Sequence, residues 1–169
     1  MIGVVLLEPE MPANTGNIGR TCVAAGSFLH LIEPLGFHLD EKSIKRAGLD
    51  YWDKLNYRRY INLEEFLEVN GHPKLYMVTT KARKTYTEVS YEEDAFLMFG
   101  KESAGIPERL LVENAENCVR IPMLPETRSL NLSNAVSIVL YEALRQNGFP
   151  GMQHYGELHR LSWDQAVNH

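Results

Sequence analysis

Short apolar runs set the first constraint on this chain: residues 2–7 (IGVVLL), 29–32 (LHLI), 75–79 (LYMVT), 95–99 (AFLMF) and 119–121 (VRI). Runs of this length, without regular polar alternation, are the mark of strands covered on both faces in a parallel sheet. Helical spacing falls between them. Ile18, Cys22, Val23 and Ala25 recur at such spacing and are closed by Gly26, after a segment at 12–19 that reads as turn-rich. Asn62 is placed to cap a helix over 63–69, and Pro107 to open one that runs to Glu113. Residues 40–47 read as a short helix and 58–61 as a further strand. Strands alternating with helices give an α/β fold, a mostly parallel sheet flanked by helices.

A chain of 169 residues is about one domain long and can bury a core without disulfides or metal. Cys22 and Cys118 lie far apart and the histidines form no paired ligand motif, so no metal site is expected. The opening apolar run is too short for a signal peptide or a membrane span, which points to a cytoplasmic protein. A net charge of −5 argues against a protein that coats nucleic acid non-specifically. It leaves room for local basic faces, around Lys42 to Arg59 and at Lys81, Arg83 and Lys84. After Gly148 the pattern changes: Pro150 and Gly151 end the helical period, and Leu158, Leu161 and Trp163 could make a short amphipathic helix. Residues 1–150 thus read as one domain and 151–169 as an extension, docked or partly ordered.

In parallel sheets, ligands sit beyond the carboxyl ends of the strands. Thr79, Gly100 and Ile121 fall at three such ends. From Ile121 the chain enters a polar loop with Pro122, Pro125, Thr127, Arg128, Ser129 and Asn131, then a helix on which Ala135, Val136, Val139, Leu140 and Ala143 share a face. Asn131 or Ser133 can cap it.

The segments NTGNIGR (14–20), FGKESAGIP (99–107) and IPMLPETRSLNLSNAVSIVLYEA (121–143) resemble, in order and spacing, the three signature motifs of the SPOUT RNA methyltransferases. The resemblance spans about residues 1–150. It implies a C-terminal trefoil knot and S-adenosylmethionine as cofactor, held by Val78, Thr79, Gly100, Ile121, Met123, Ser129 and Leu130. It further implies methylation of the ribose 2′-hydroxyl of the wobble nucleotide, cytidine or uridine, in the tRNA anticodon loop. Alternatives are ribosomal RNA as substrate, or a knotted module that binds RNA without catalysis. The dinucleotide pattern GxGxxG is absent, against an ordinary Rossmann enzyme.

On that resemblance Arg20, Glu102 and Asn131 are the catalytic candidates, with Asn14, Arg128 and Asn134 toward the substrate. A guanidinium is effectively never deprotonated, so Arg20 is read as gripping the phosphate beside the target ribose rather than as a base. Glu102 caps the following turn, contacts Arg20 or orients substrate; Asn131 bonds a ribose or phosphate while Asn134 fixes the loop, or both only satisfy backbone groups. Tyr141 reads as a core or interface aromatic. Ala24, Ala25, Ala135, Ile138 and Tyr141 exceed what one core-facing stripe needs, and the resemblance implies a homodimer in which Arg20 serves the neighbouring subunit's site.

Overall fold

A computed structural model describes residues 1–40, 42 and 50–166. The expected helix at 40–47 lies almost wholly outside the described residues. Among the described residues seven strands form one sheet: β1 (Gly3–Leu7), β2 (Phe28–Ile32), β3 (Tyr57–Tyr60), β4 (Leu75–Val78), β5 (Lys84–Thr85), β6 (Phe96–Phe99) and β7 (Cys118–Arg120). Their order is β3-β2-β1-β6-β4-β7-β5, and every registered pair is parallel. The described helices are α1 (Pro12–Ala25), α2 (Leu63–Val69), α3 (Glu108–Glu113) and α4 (Leu132–Gln146).

Side chains alternate across the sheet and fill two cores, which is why the inner strands β1, β2, β4 and β6 read as apolar on both faces. Val4, Leu6, Leu29, Leu31, Leu97 and Phe99 face α1 and α4, meeting Ile18, Cys22, Val136, Val139 and Leu140. Val5, Leu7, Ile32, Met77 and Met98 face the other way, onto Phe66 of α2 and Leu111 of α3. Within this second core His30 is buried among Phe28, Tyr60, Phe66 and Phe96, its Nδ1 2.8 Å from the Tyr60 hydroxyl. Burial, and then the charge of Arg58, push its pKa down to about 4.

Helix α1 starts at Pro12, six residues before Ile18, the first residue of the helical spacing. Asn14, Gly16, Asn17 and Gly19 give the segment the composition of a turn, and each interior glycine costs about 1 kcal/mol relative to alanine. Proline stands at the first helical position, and the support comes from one distant side chain, Glu102. Gly19 has a packing reason: a methyl there would meet Leu55 at 3.2 Å and Trp52 at 3.4 Å, so the 3₁₀ turn Trp52–Lys54 lies directly on the helix. The hydroxyl of Tyr51 also donates to the Gly16 carbonyl.

Pro107 is the N-cap of α3 rather than its first helical residue, and the two-residue strand β5 carries no apolar signal in the sequence. After α4, Met152 packs on the first core, while Leu161 and Trp163 are exposed. The expected helix over 158–163 is instead a 3₁₀ turn at Trp163–Ala166. Of the residues in excess of a core stripe, Ala25 is core, whereas Ala24, Ile138 and Tyr141 are exposed. Among the described residues, no helix is long and apolar enough to cross a membrane, and no group of His, Cys, Asp or Glu is placed to hold a metal.

Candidate active site

The chain runs from β1 outward to β2 and β3, then returns past β1 to β4 and β6. The reversal leaves a crevice at the carboxyl ends of β1, β6 and β4, where ligands bind in open parallel sheets. A pocket of about 520 Å³ occupies it. That volume lies within the roughly 300–1,000 Å³ usual for small-molecule sites.

Four connections wall the pocket. Met11 and Asn14 come from the start of α1, and Val78 and Thr79 from the end of β4. The loop after β6 supplies Gly100 and Glu102, and the segment after β7 supplies Ile121, Met123, Arg128, Ser129, Leu130 and Asn131. The expected cofactor residues are therefore brought together. Among the described residues, the backbone N–H groups of the lining residues Met123, Ser129 and Leu130 enter no backbone–backbone hydrogen bond, which leaves them as donors. Such donors fit a ligand rich in acceptors, as the adenine and carboxylate of S-adenosylmethionine are.

Gly100 is required for a different reason from ligand approach. A methyl on it would lie 2.3 Å from Gly105 C and Ile106 N, because the loop folds back through a bridge between Lys101 and Gly105. Gly105 makes that return with a φ of 69°.

Three side chains bind the signature segments to one another. Glu102 accepts from the backbone N–H groups of Glu10 at 2.9 Å and Met11 at 3.1 Å, and from Asn14 Nδ2 at 3.3 Å. Asn14 is buried, and its Oδ1 accepts from Asn131 Nδ2 at 3.0 Å. Asn131 Oδ1 caps α4, accepting from the Ser133 and Asn134 N–H groups at 2.9 and 3.4 Å. Glu102 thus supports the entry to α1, where a carboxylate also faces the positive end of the helix dipole. It neither caps its own following turn nor, among the described residues, contacts Arg20.

Glu10 answers in the opposite direction. Its carboxylate accepts from the Ser103 hydroxyl at 2.6 Å and the Ser103 N–H at 3.1 Å, which hold its pKa below the ordinary value. Beside it Glu8 has a φ of 51°, an unusual conformation for a side-chain-bearing residue, and pairs with Lys101 at 3.5 Å. Glu10, Ser103 and Lys101 were not singled out by sequence; the only local signal is a pair of carboxylates around Pro9.

Arg20 and Asn134 do not line the pocket. Arg20 is exposed on α1 beside Tyr51, six residues past Asn14, and among the described residues it has no ion-pair partner. Six residues turn an α-helix by about 240°, so Arg20 leaves the helix on another side from Asn14. Asn134 is exposed in the first turn of α4.

A parallel sheet with a pocket at its switch point, closed by these segments, defines an α/β protein built to hold a small ligand there. The model of the SpoU rRNA methylase family matches residues 1–141, and the chain belongs to that family. It is 49% identical over 152 residues to the tRNA (cytidine(34)-2′-O)-methyltransferase of Escherichia coli K12, covering 89% of this chain and 97% of the relative. A solved structure described under structural insights into the 2-OH methylation of C/U34 on tRNA is 40% identical, with a TM-score of 0.82 over 88% of this chain and 97% of that one. An AdoMet-bound rRNA methyltransferase from Sinorhizobium meliloti is 27% identical, with a TM-score of 0.72 over 85% of this chain and 56% of that one.

Proposed function

We propose that this protein methylates the ribose 2′-hydroxyl of the wobble nucleotide, cytidine or uridine 34, in the tRNA anticodon loop. One observation carries the reading: the three segments that match a near-full-length tRNA (cytidine(34)-2′-O)-methyltransferase fold onto a single pocket at the sheet's switch point. S-adenosylmethionine, when bound there, supplies an electrophilic methyl group on a sulfonium. Val78, Thr79, Gly100, Ile121, Met123, Ser129 and Leu130 would hold it, chiefly through backbone groups. Asn14, Glu102 and Asn131 fix the loops around it, and Arg128, on the pocket lining, is assigned to the RNA.

Displacement at the methyl carbon demands an in-line hydroxyl and an acceptor for its proton. Arg20 is assigned to the phosphate beside that ribose, where a permanent cation aligns the nucleotide and leaves phosphate oxygen to receive the proton. Its place outside the pocket of its own chain supports a homodimer, with Arg20 of one subunit serving the pocket of the other. Ile138 and Tyr141, exposed on α4, supply apolar surface for such a contact. The threading of residues 121–146 is read as the trefoil knot of the family, residues 1–150 as the catalytic domain, and the cytoplasm as its compartment. Ribosomal RNA is the competing substrate. Incubation with methyl-labelled S-adenosylmethionine and separated tRNA and ribosomal RNA tests the reading: label in tRNA supports it, and label confined to ribosomal RNA overturns it.

A further inference from the structure

A second concavity, of about 650 Å³, opens on the same edge of the sheet, beyond the carboxyl ends of β2 and β3. Glu33, Phe37 and His38 line it from the segment after β2, and Arg59 and Ile61 from the end of β3. It shares a wall with the methyl-transfer pocket. The Gly36 N–H donates to the Pro9 carbonyl at 2.9 Å, and a methyl at Gly36 would lie 2.8 Å from Glu10 Cα. Glu10 in turn holds Ser103, which lines the first pocket. The strip from Pro9 to Met11 therefore separates two adjoining sites on one rim.

Its chemistry is that of a surface for single-stranded nucleic acid: a half-buried phenyl ring, an exposed imidazole and a guanidinium. Unpaired RNA is read by stacking on aromatic side chains and by cations along its backbone. Arg59 is held by Glu33 in a pair whose side chains are 41% and 29% exposed. Ion pairs this open to solvent contribute little, so exchanging the carboxylate for a phosphate costs little. Ile61, at 69% exposure, adds an apolar edge without a partner on its own chain among the described residues.

We infer that this second concavity is a subsite for the RNA strand flanking the methylated nucleotide, where Arg59 turns from Glu33 to a backbone phosphate and Phe37 and His38 bracket a base. The inference rests on the proposed RNA substrate and adds where the strand runs. It makes Glu33 a resident competitor of the phosphate. Removing the carboxylate therefore strengthens binding, while removing the cation weakens it.

Three variants of the full chain separate this from a structural ion pair. With an anticodon stem-loop RNA as probe, Arg59→Ala should raise KM for RNA about tenfold and reduce the salt dependence of binding by about one phosphate contact. Phe37→Ala should raise KM about tenfold through lost stacking. Glu33→Gln should lower KM. Affinity for S-adenosylhomocysteine, read by calorimetry, should be the same in all three. Opposite effects of Arg59→Ala and Glu33→Gln establish the subsite; parallel effects, or unchanged KM and RNA affinity in all three, overturn it. RNA affinity measured without turnover keeps the two claims apart. An unmutated protein that binds the stem-loop, with affinities in this order, but transfers no methyl group contradicts the proposed activity and not the subsite.

Discussion

Asn131 donates its side-chain amide to Asn14 at 3.0 Å across 117 residues of chain, and Asn14 passes its own amide on to Glu102 at 3.3 Å. Each asparagine is fixed in orientation, because one partner can only accept and the other must donate. Removing either should leave the others unsatisfied. In a double-mutant cycle, Asn14→Ala and Asn131→Ala are expected to couple by about 0.5–1.5 kcal/mol in urea unfolding. Additive losses would show that the contact contributes nothing to the folded state.

Gly100→Ala should destabilise the protein by about 2 kcal/mol or more, since overpacking against backbone has no flexible neighbour to absorb it. The methyl meets Gly105 and Ile106 at 2.3 Å. Because that loop lines the pocket, binding of S-adenosylhomocysteine should weaken in parallel. A variant with unchanged unfolding midpoint and affinity would contradict the closeness of this approach.

Arg20→Ala is expected to lower methyl transfer by about a hundredfold or more, as loss of a charged positioning group at a reacting centre does. Cofactor affinity should stay within a few-fold of the unmutated protein, because Arg20 lies outside the pocket. Calorimetry and single-turnover kinetics read the two effects separately. Equal loss in both would move Arg20 to the cofactor.

The buried His30 gives stability a pH dependence. Its pKa is about 4 in the folded protein and 6.5 in the unfolded chain. Between these values the unfolded state binds a proton that the folded state refuses. The contribution is therefore complete above pH 6.5 and is lost as pH falls toward 4, amounting to on the order of 3 kcal/mol. Urea midpoints across this range should fall with pH, and His30→Gln should flatten that slope. An unchanged slope in the variant would place the titrating group elsewhere.

Strands β1, β2, β4 and β6 and helix α4 were legible because both faces of the inner sheet and one face of the helix are buried, so local hydrophobicity reports them directly. Leu29 and Leu31 on one face and His30 and Ile32 on the other are covered alike. The start of α1 was not legible. Its carboxylate support comes from Glu102, 92 positions away from Glu10, and no window around Pro12 contains it. Strand β5 is similarly hidden, since Lys84 and Thr85 become a strand only through β7. The pocket residues were found through motif spacing. The second acidic brace, Glu10 on Ser103, was missed because a surface carboxylate in a loop carries no local mark of its partner.

The position of the transferred methyl group decides the reaction most directly. Methyl-labelled S-adenosylmethionine should be offered to an anticodon stem-loop RNA with cytidine at position 34, and to the same RNA with 2′-deoxycytidine there, followed by nuclease digestion and nucleoside analysis. Label in 2′-O-methylcytidine from the first RNA, and none from the second, is the expected result. Equal labelling of the two RNAs, or label on a base, would contradict it.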